Sequence, residues 1–439
     1  MKVMKFGGTS VGKPQRMREV ANLVTASAEP VIVVLSALSG TTNALVEISD
    51  LLGAGNRAGA KEKISALSNH YKQFVEELLS DQAAKDKANA ILAEHFEFLN
   101  IILKISFSEA LNKDILAQGE LLSTKLFSVY LQEQRVQHQL VPALEFMTLD
   151  KQDEPQVGAI KVKLTQLLNE HPGNSIFITQ GYITKNARGE VDNLKRGGSD
   201  YSASLIAAAI GASVCEIWTD IDGMHNNDPR VVEKTRAVDQ LSFDEAAELA
   251  YFGAKILHPA SIWPAQFYNV PVKLLNTMAP SAAGTLITET AGSTGVKAVA
   301  AKDNITAINI KSSRMLLAYG FLRKVFEVFE KYRTSIDMIT TSEVAVSVTI
   351  DSDIYINDII KELEAYGSVE VDKGQSIVSI VGNEISSTES IMKKLFDSVA
   401  DIPVRMVSYG GSKHNISLLI PSAYKEQTLQ ALNKGLFGL

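Results

Sequence analysis

Four short runs in the first two thirds of the chain, 31–34, 175–179, 214–218 and 272–275, are apolar at nearly every position. A strand with one wet face alternates apolar and polar residues, so continuous apolarity predicts strands covered on both faces. Stretches with apolar residues three and four apart lie between these runs, over 15–26, 200–210 and 243–251, and predict helices. Alternating strands and helices predict an α/β sandwich around a mainly parallel sheet. Ligands of such sheets bind beyond the carboxyl ends of the strands. Residues 58–113 are rich in Ala, Glu, Lys and Leu at helical spacing and lack a strand signal, which predicts a helical insertion over one end of the site.

Small residues at 291–295 change the texture and place a domain boundary there, giving domains of 1–292 and 293–439. The second domain has a repeated layout. Strand 305–310, helix 321–332, strands 336–340 and 345–350, helix 354–365 and strand 369–372 make one βαββαβ unit of ferredoxin-like type. Strand 376–381, helix 387–399, strands 404–409 and 416–420 and helix 424–436 make most of another.

Composition narrows the function classes. An apolar share of 46% over 439 residues suits two or three globular cores rather than a disordered chain. A net charge of −7 excludes a general nucleic-acid binder, which needs a concentrated basic surface. No apolar run approaches the roughly 20 residues that span a bilayer, and no leader pattern precedes the first strand, so a soluble cytoplasmic protein is expected. Cys215 is the sole cysteine, so no intrachain disulfide forms, and it reads as a small buried apolar residue.

The chemistry-bearing residues cluster in short motifs. Lys5 ends the first strand and is followed by Phe6-Gly7-Gly8-Thr9-Ser10, where bare backbone amides and hydroxyls can cradle phosphate oxygens beside an ammonium group. The spacing is neither that of a Walker A loop nor that of a dinucleotide fold. Ala117-Gln118-Gly119-Glu120, Gln180-Gly181-Tyr182, Arg196-Gly197-Gly198-Ser199-Asp200, Thr219-Asp220, Asp228-Pro229-Arg230 and Phe252-Gly253-Ala254-Lys255 follow in that order. Each alone has a plain reading as a turn, a helix cap or a solvated charge. Neither His225 nor His258 has the spacing of a zinc ligand set, and no resident metal is predicted.

As an ordered set, these motifs resemble the aspartate kinases of the amino-acid kinase family. Ile336-Asp337-Met338-Ile339-Thr340-Thr341-Ser342-Glu343 is similar to the regulatory ACT region of the lysine-sensitive type. The resemblance implies transfer of the ATP γ-phosphate to the side-chain carboxylate of L-aspartate, the first step toward lysine, threonine and methionine. It implies Lys5 and Asp200 as catalytic residues, with Ser39, Thr42, Glu120, Tyr182, Arg196 and Ser199 on aspartate. Lys5, Gly7, Gly8, Thr219, Asp220, His225, Arg230 and Lys255 would hold ATP with its Mg²⁺. His225 stands where relatives often carry tyrosine. An L-lysine effector would bind at Met315, Ala318, Phe321, Leu322, Ser335, Ile336, Asp337, Ser342 and Glu343, and Ala318 stands where lysine-inhibited relatives can carry serine. The resemblance also implies that one ACT unit is inserted in the other, with the strand near Ile305 a candidate to pair with the later unit, and a homodimer or homotetramer formed through these units. A fused homoserine dehydrogenase is not expected, since the chain stops after the ACT units. A kinase for glutamate or acetylglutamate, or an inactive amino-acid sensor, would share many of these residues.

Overall fold

The computed structural model describes residues 1–194, 197–253, 257–290, 292–311 and 319–439. Its strands in chain order are β1 (Lys2–Phe6), β2 (Val31–Leu35), β3 (Gln139–Leu140), β4 (Ile176–Gln180), β5 (Ile183–Lys185), β6 (Val191–Asn193), β7 (Cys215–Thr219), β8 (Gln240–Ser242), β9 (Val272–Asn276), β10 (Thr285–Thr288), β11 (Gly295–Lys311), β12 (Ile339–Thr341), β13 (Ala345–Ile350), β14 (Ser368–Asn383), β15 (Met406–Ser408) and β16 (Asn415–Pro421). Contacts divide the chain into two compact units, Met1–Gly223 with Leu257–Glu289, and Met224–Ile256 with Thr290–Leu439.

In the first unit the strands run in the order β3-β4-β2-β1-β7-β9-β10. They are parallel except β10, which is antiparallel to β9. Every residue of β2 and of β4 is buried, which is why their sequences show no polar alternation. The chain winds from β1 outward through β2 to β4, then returns to β7 on the opposite side of β1. The sheet thus has its topological switch at β1, and a ligand crevice is expected beyond the carboxyl end of that strand.

The helical insertion forms as expected, as helices Arg57–Leu78 and Gln82–Ile102 and the start of Glu109–Glu133. Each begins at a side-chain cap: Asn56 accepts from Gly59 N, Asp81 from Ala84 N and Ser108 from Leu111 N. Ile64, Leu67, Tyr71, Phe74, Val75 and Leu78 form the buried face of the first helix and join one core with Leu92, Phe96 and Leu99. Full burial of such a side chain contributes ~1.5–3 kcal/mol. The third helix does not stop near Lys113 but continues to Glu133, carrying Glu120 into the interior.

The second unit holds a six-stranded sheet in the order β12-β13-β11-β14-β16-β15, with every neighbouring pair antiparallel. Two βαββαβ halves share its long central strands. The separate strands expected at 369–372 and 376–381 are one strand, β14, because Gly374 at φ +70° bends the chain without ending the pairing. The strand near Ile305 pairs differently from the expectation. Thr306–Lys311 pairs with β13 of the earlier half, and it is the start of β11, Ala298–Lys302, that pairs with the later part of β14. A bulge between Lys302 and Ala307, with Asn304 at φ +61°, makes the change of register. The earlier half is therefore inserted within the later one.

The two compact units differ from a single cut after residue 292. Met224–Ile256 counts with the C-terminal unit, where Val232 shares a core with Val299, Ile380 and Leu429.

Candidate active site

β1 sets Lys5 at the centre of the parallel sheet, opposite Val34 of β2 and Ile217 of β7. Its side chain is 11% exposed, and Nζ lies 2.6 Å from Asp200 Oδ1. Asp200 occupies the first turn of helix Gly198–Ile210, where the partial positive charge of the helix end favours a carboxylate. That helix starts through two left-handed residues, Gly197 at φ +67° and Gly198 at φ +50°. A Cβ at Gly197 would fall 2.5 Å from that of Ser261, and one at Gly7 would stand 3.3 Å from Lys5 Nζ. Gly7 thus keeps the space over the ammonium open. Ser10 is not available for a phosphate: its hydroxyl is fully buried and shares a hydrogen bond of 2.7 Å with that of Thr277.

Gly119 brings helix Glu109–Glu133 onto the loop after β2, where a Cβ would meet that of Ala37 at 2.7 Å. This approach seats the Glu120 carboxylate on the loop. Glu120 is 3% exposed, Oε1 accepts from Ala37 N at 3.3 Å, and Oε2 has no partner among the described residues. Burial pushes its pKa up to about 8 against the backbone bond from Ala37, which lowers it.

The expected substrate hydroxyls divide. Ser39 and Thr42 are exposed, and the intervening Thr41 is buried against the Tyr71 hydroxyl at 3.0 Å. The hydroxyl of this loop that meets the helix carrying Asp200 is that of Ser36, which donates to Ser199 Oγ at 2.8 Å. Ser36 N also donates to Phe6 O, and its carbonyl accepts from Ser123 Oγ. One residue therefore ties together the elements that carry Lys5, Glu120 and Asp200. The sequence offered no signal to prefer Ser36 over Ser39, since both are serines of one loop. Gly181 leaves room for Ser199, and Tyr182 takes φ +66° while its N–H donates to Ser202 Oγ at 2.8 Å. Burial raises the Tyr182 phenol above its ordinary range. Ser36→Ala removes only the side-chain bond, worth ~1 kcal/mol, so kcat/KM for the acceptor is expected to fall about fivefold. Steady-state kinetics check this, and Ser36→Thr should recover most of the loss.

At the carboxyl end of β7, Thr219 Oγ1 donates to Asp220 Oδ1 at 3.2 Å, and Asp220 is exposed. His225 and Arg230 belong to the second unit. There His225 Nδ1 meets Thr235 Oγ1, and Arg230 grips Asp228 through Nε at 2.9 Å and Nη2 at 2.7 Å. Arg196, Lys255, Met315 and Ala318 lie outside the described residues.

Residues 1–276 match the Amino acid kinase family, and residues 378–436 match an ACT domain. The chain is 36% identical to the lysine-sensitive aspartokinase 3 of Escherichia coli (strain K12), over 99% of both chains. The chloroplastic aspartokinase 1 of Arabidopsis thaliana is also 36% identical, over 99% of this chain and 80% of its own. The chain belongs to the aspartokinases of the amino acid kinase family. E. coli aspartokinase III in complex with aspartate and ADP (R-state) superposes on this aspartokinase with a TM-score of 0.83, at 35% identity and full coverage of both chains. The same protein in complex with lysine and aspartate (T-state) gives 0.82.

The candidate effector residues of this aspartokinase lie around the earlier βαββαβ half. Phe321 is buried at the start of helix Phe321–Lys331, behind Gly320 at φ +83°, while Leu322 is more exposed. Ser335 is exposed, Ile336 packs against the core of that half, and Ser342 and Glu343 lie exposed between β12 and β13. Asp337 already holds a cation of its own chain. Lys302 Nζ lies 2.8 Å from Asp337 and 2.9 Å from Asp351 and sits over the Tyr251 ring, whose hydroxyl donates to Asp337. Burial still holds the Asp337 carboxyl above its ordinary range despite Lys302. No motif marked Lys302, which stands 35 residues away in sequence.

Proposed function

We propose that this chain transfers the γ-phosphoryl group of ATP to the side-chain carboxylate of L-aspartate, giving 4-phospho-L-aspartate and ADP. The observation that carries this reading is the convergence, through Ser36, of a Lys5–Asp200 pair and a buried Glu120 with an unmatched oxygen. In the transfer, one oxygen of the acceptor carboxylate forms a bond to the γ-phosphorus as the bond to the β,γ-bridging oxygen breaks. The acceptor is ionised at neutral pH, with a reference pKa near ~4, so no general base is required. What remains is positioning and charge. Lys5 offers its ammonium to the developing negative charge, Asp200 fixes the direction of that ammonium, and Gly7 and Gly8 let phosphates approach. Glu120 receives the substrate ammonium, Tyr182 covers the acceptor beside Ser199, and Arg196 is assigned to its carboxylate by resemblance alone. Thr219 and Asp220, with His225, Arg230 and Lys255, are assigned to the nucleotide.

Mg²⁺ dehydrates reluctantly and needs only one or two carboxylates besides substrate phosphates, which fits the single exposed carboxylate of Asp220 beside Thr219. When bound with ATP it would neutralise charge on the terminal phosphates. Among the described residues no helix is long and apolar enough to cross a membrane. A cytoplasmic location, feedback by L-lysine at the ACT region and association of chains through that region complete the proposal.

Hydroxylamine capture of the acyl phosphate, with aspartate, glutamate and acetylglutamate offered separately, tests the acceptor. Turnover is expected with aspartate and at most about a hundredth of that rate with acetylglutamate, whose acylated nitrogen leaves the buried carboxylate unmatched, while glutamate keeps the ammonium and its one extra methylene is expected to cost about tenfold or more. Equal or faster turnover with another acceptor overturns the assignment. Aspartate saturation curves that coincide with and without lysine would remove lysine as the effector.

A further inference from the structure

The segment that follows β7 is held by three buried amides that the proposed reaction does not use. Asn226, Asn227 and Asn433 are 0%, 3% and 2% exposed, and all belong to the second unit. Asn433 Oδ1 accepts from Asn226 Nδ2 at 3.0 Å and, at the limit of bonding, from Asn227 Nδ2 at 3.5 Å. Asn433 Nδ2 donates to Lys234 O at 2.9 Å. Around this centre, Asn227 Nδ2 donates to Leu429 O, Asn226 Oδ1 accepts from Arg236 N and Asn226 O accepts from Val299 N.

These bonds clamp residues 224–238 at both ends, since Asn226 and Asn227 enter the segment and Lys234 and Arg236 leave it. They also reach its candidate ligand groups. Asn227 Oδ1 accepts from Asp228 N at 2.9 Å, and Asp228 in turn fixes the Arg230 guanidinium through two bonds. His225 sits beside Asn226 and pairs with Ala237 across the same ribbon. On the other side, Asn433 opens a π-helical turn, Asn433–Phe437, at the end of helix Lys425–Leu432. Such turns are rare and occur often at functional positions. A buried amide that satisfies donors and acceptors on two segments specifies one arrangement of them, because any other arrangement leaves polar groups unpaired.

We propose that Asn433 is a positioning residue for the nucleotide. From the C-terminal helix it holds residues 224–238, and through Asn227 and Asp228 it holds the Arg230 guanidinium, in the form that receives ATP. The inference rests on the assignment of His225 and Arg230 to the nucleotide under the proposed function.

Asn433→Ala leaves Asn226 Nδ2 and Lys234 O without their partner. In the full-length protein, KM for ATP and the dissociation constant for ADP by titration calorimetry are expected to rise about tenfold, while KM for aspartate stays within about twofold. Asn433→Ser keeps one acceptor and should fall between alanine and wild type. It also carries the test if the alanine variant does not fold. ADP affinity equal to wild type in a folded variant, even one with a lower melting temperature, overturns the inference, as does an equal rise in both KM values. Wild-type protein that shows no aspartate-dependent turnover would overturn the proposed function instead, and the ADP titration would still decide the role of Asn433.

Discussion

Lys5→Ala is expected to lower kcat about 10²- to 10³-fold, the cost of removing one preorganised charge from a site where negative charge develops. Three features of the structure set that size. The ammonium is held in the sheet interior on a strand that cannot move without breaking its pairing to β2 and β7. Its Nζ lies 2.6 Å from Asp200 Oδ1 in an ion pair, so it is held beside a carboxylate before substrate arrives. The space above it is kept by a glycine, since a Cβ at Gly7 would stand 3.3 Å from Nζ. An effect on the transition state alone lowers kcat and kcat/KM together, which separates it from a loss of ATP binding. Asp200→Asn keeps Lys5 and loses only its orientation, so a smaller fall of about tenfold is expected there. Hydroxylamine capture at saturating ATP and aspartate measures both, with circular dichroism to show that each variant folds. A folded Lys5→Ala protein with near-normal kcat would remove Lys5 from the chemistry.

The strands of the first unit were legible because a sheet covered on both faces demands apolar residues at successive positions, and 31–35 meets that demand without interruption. The central strands of the second unit were only half legible. Asn304 and Gly374 fall outside the expected strands 305–310, 369–372 and 376–381, yet both sit at irregularities inside continuous strands, and local sequence does not distinguish a bulge from a turn. The compact units count Met224–Ile256 with the C-terminal part, to which Asn226 and Asn227 are tied across some two hundred residues, a link no local pattern encodes. Lys5, Glu120 and Asp200 could be picked out as candidates because their motifs occur in a fixed order. The bond that joins Ser36 to Ser199 and the ion pair of Asp337 with Lys302 had no local signal, because each partner is distant in sequence.

Glu120→Gln should raise KM for aspartate about 10²-fold, because truncating one side of a buried charge pair typically costs ~2–5 kcal/mol. The pH dependence supplies a sharper test. In the unliganded protein, burial lifts the Glu120 pKa from 4.5 to about 8, so between these values the folded chain holds a proton that the unfolded chain has released. Stability falls with pH wherever the native state binds more protons, so this group stabilises most below 4.5 and loses that contribution as pH climbs to 8. Glutamine imitates the protonated acid. Without ligand, the glutamine variant should therefore lose less stability than wild type between pH 5 and pH 9, about the window of the shift. Aspartate binding has the opposite demand, since its ammonium requires the carboxylate. For wild type, kcat/KM for aspartate should rise toward pH 8, and binding at neutral pH should release about one proton, read from calorimetry in buffers of different ionisation enthalpy. The glutamine variant should show neither the rise nor the release. An unchanged KM, or proton release that survives the substitution, would mean that the ammonium of the substrate meets some other group.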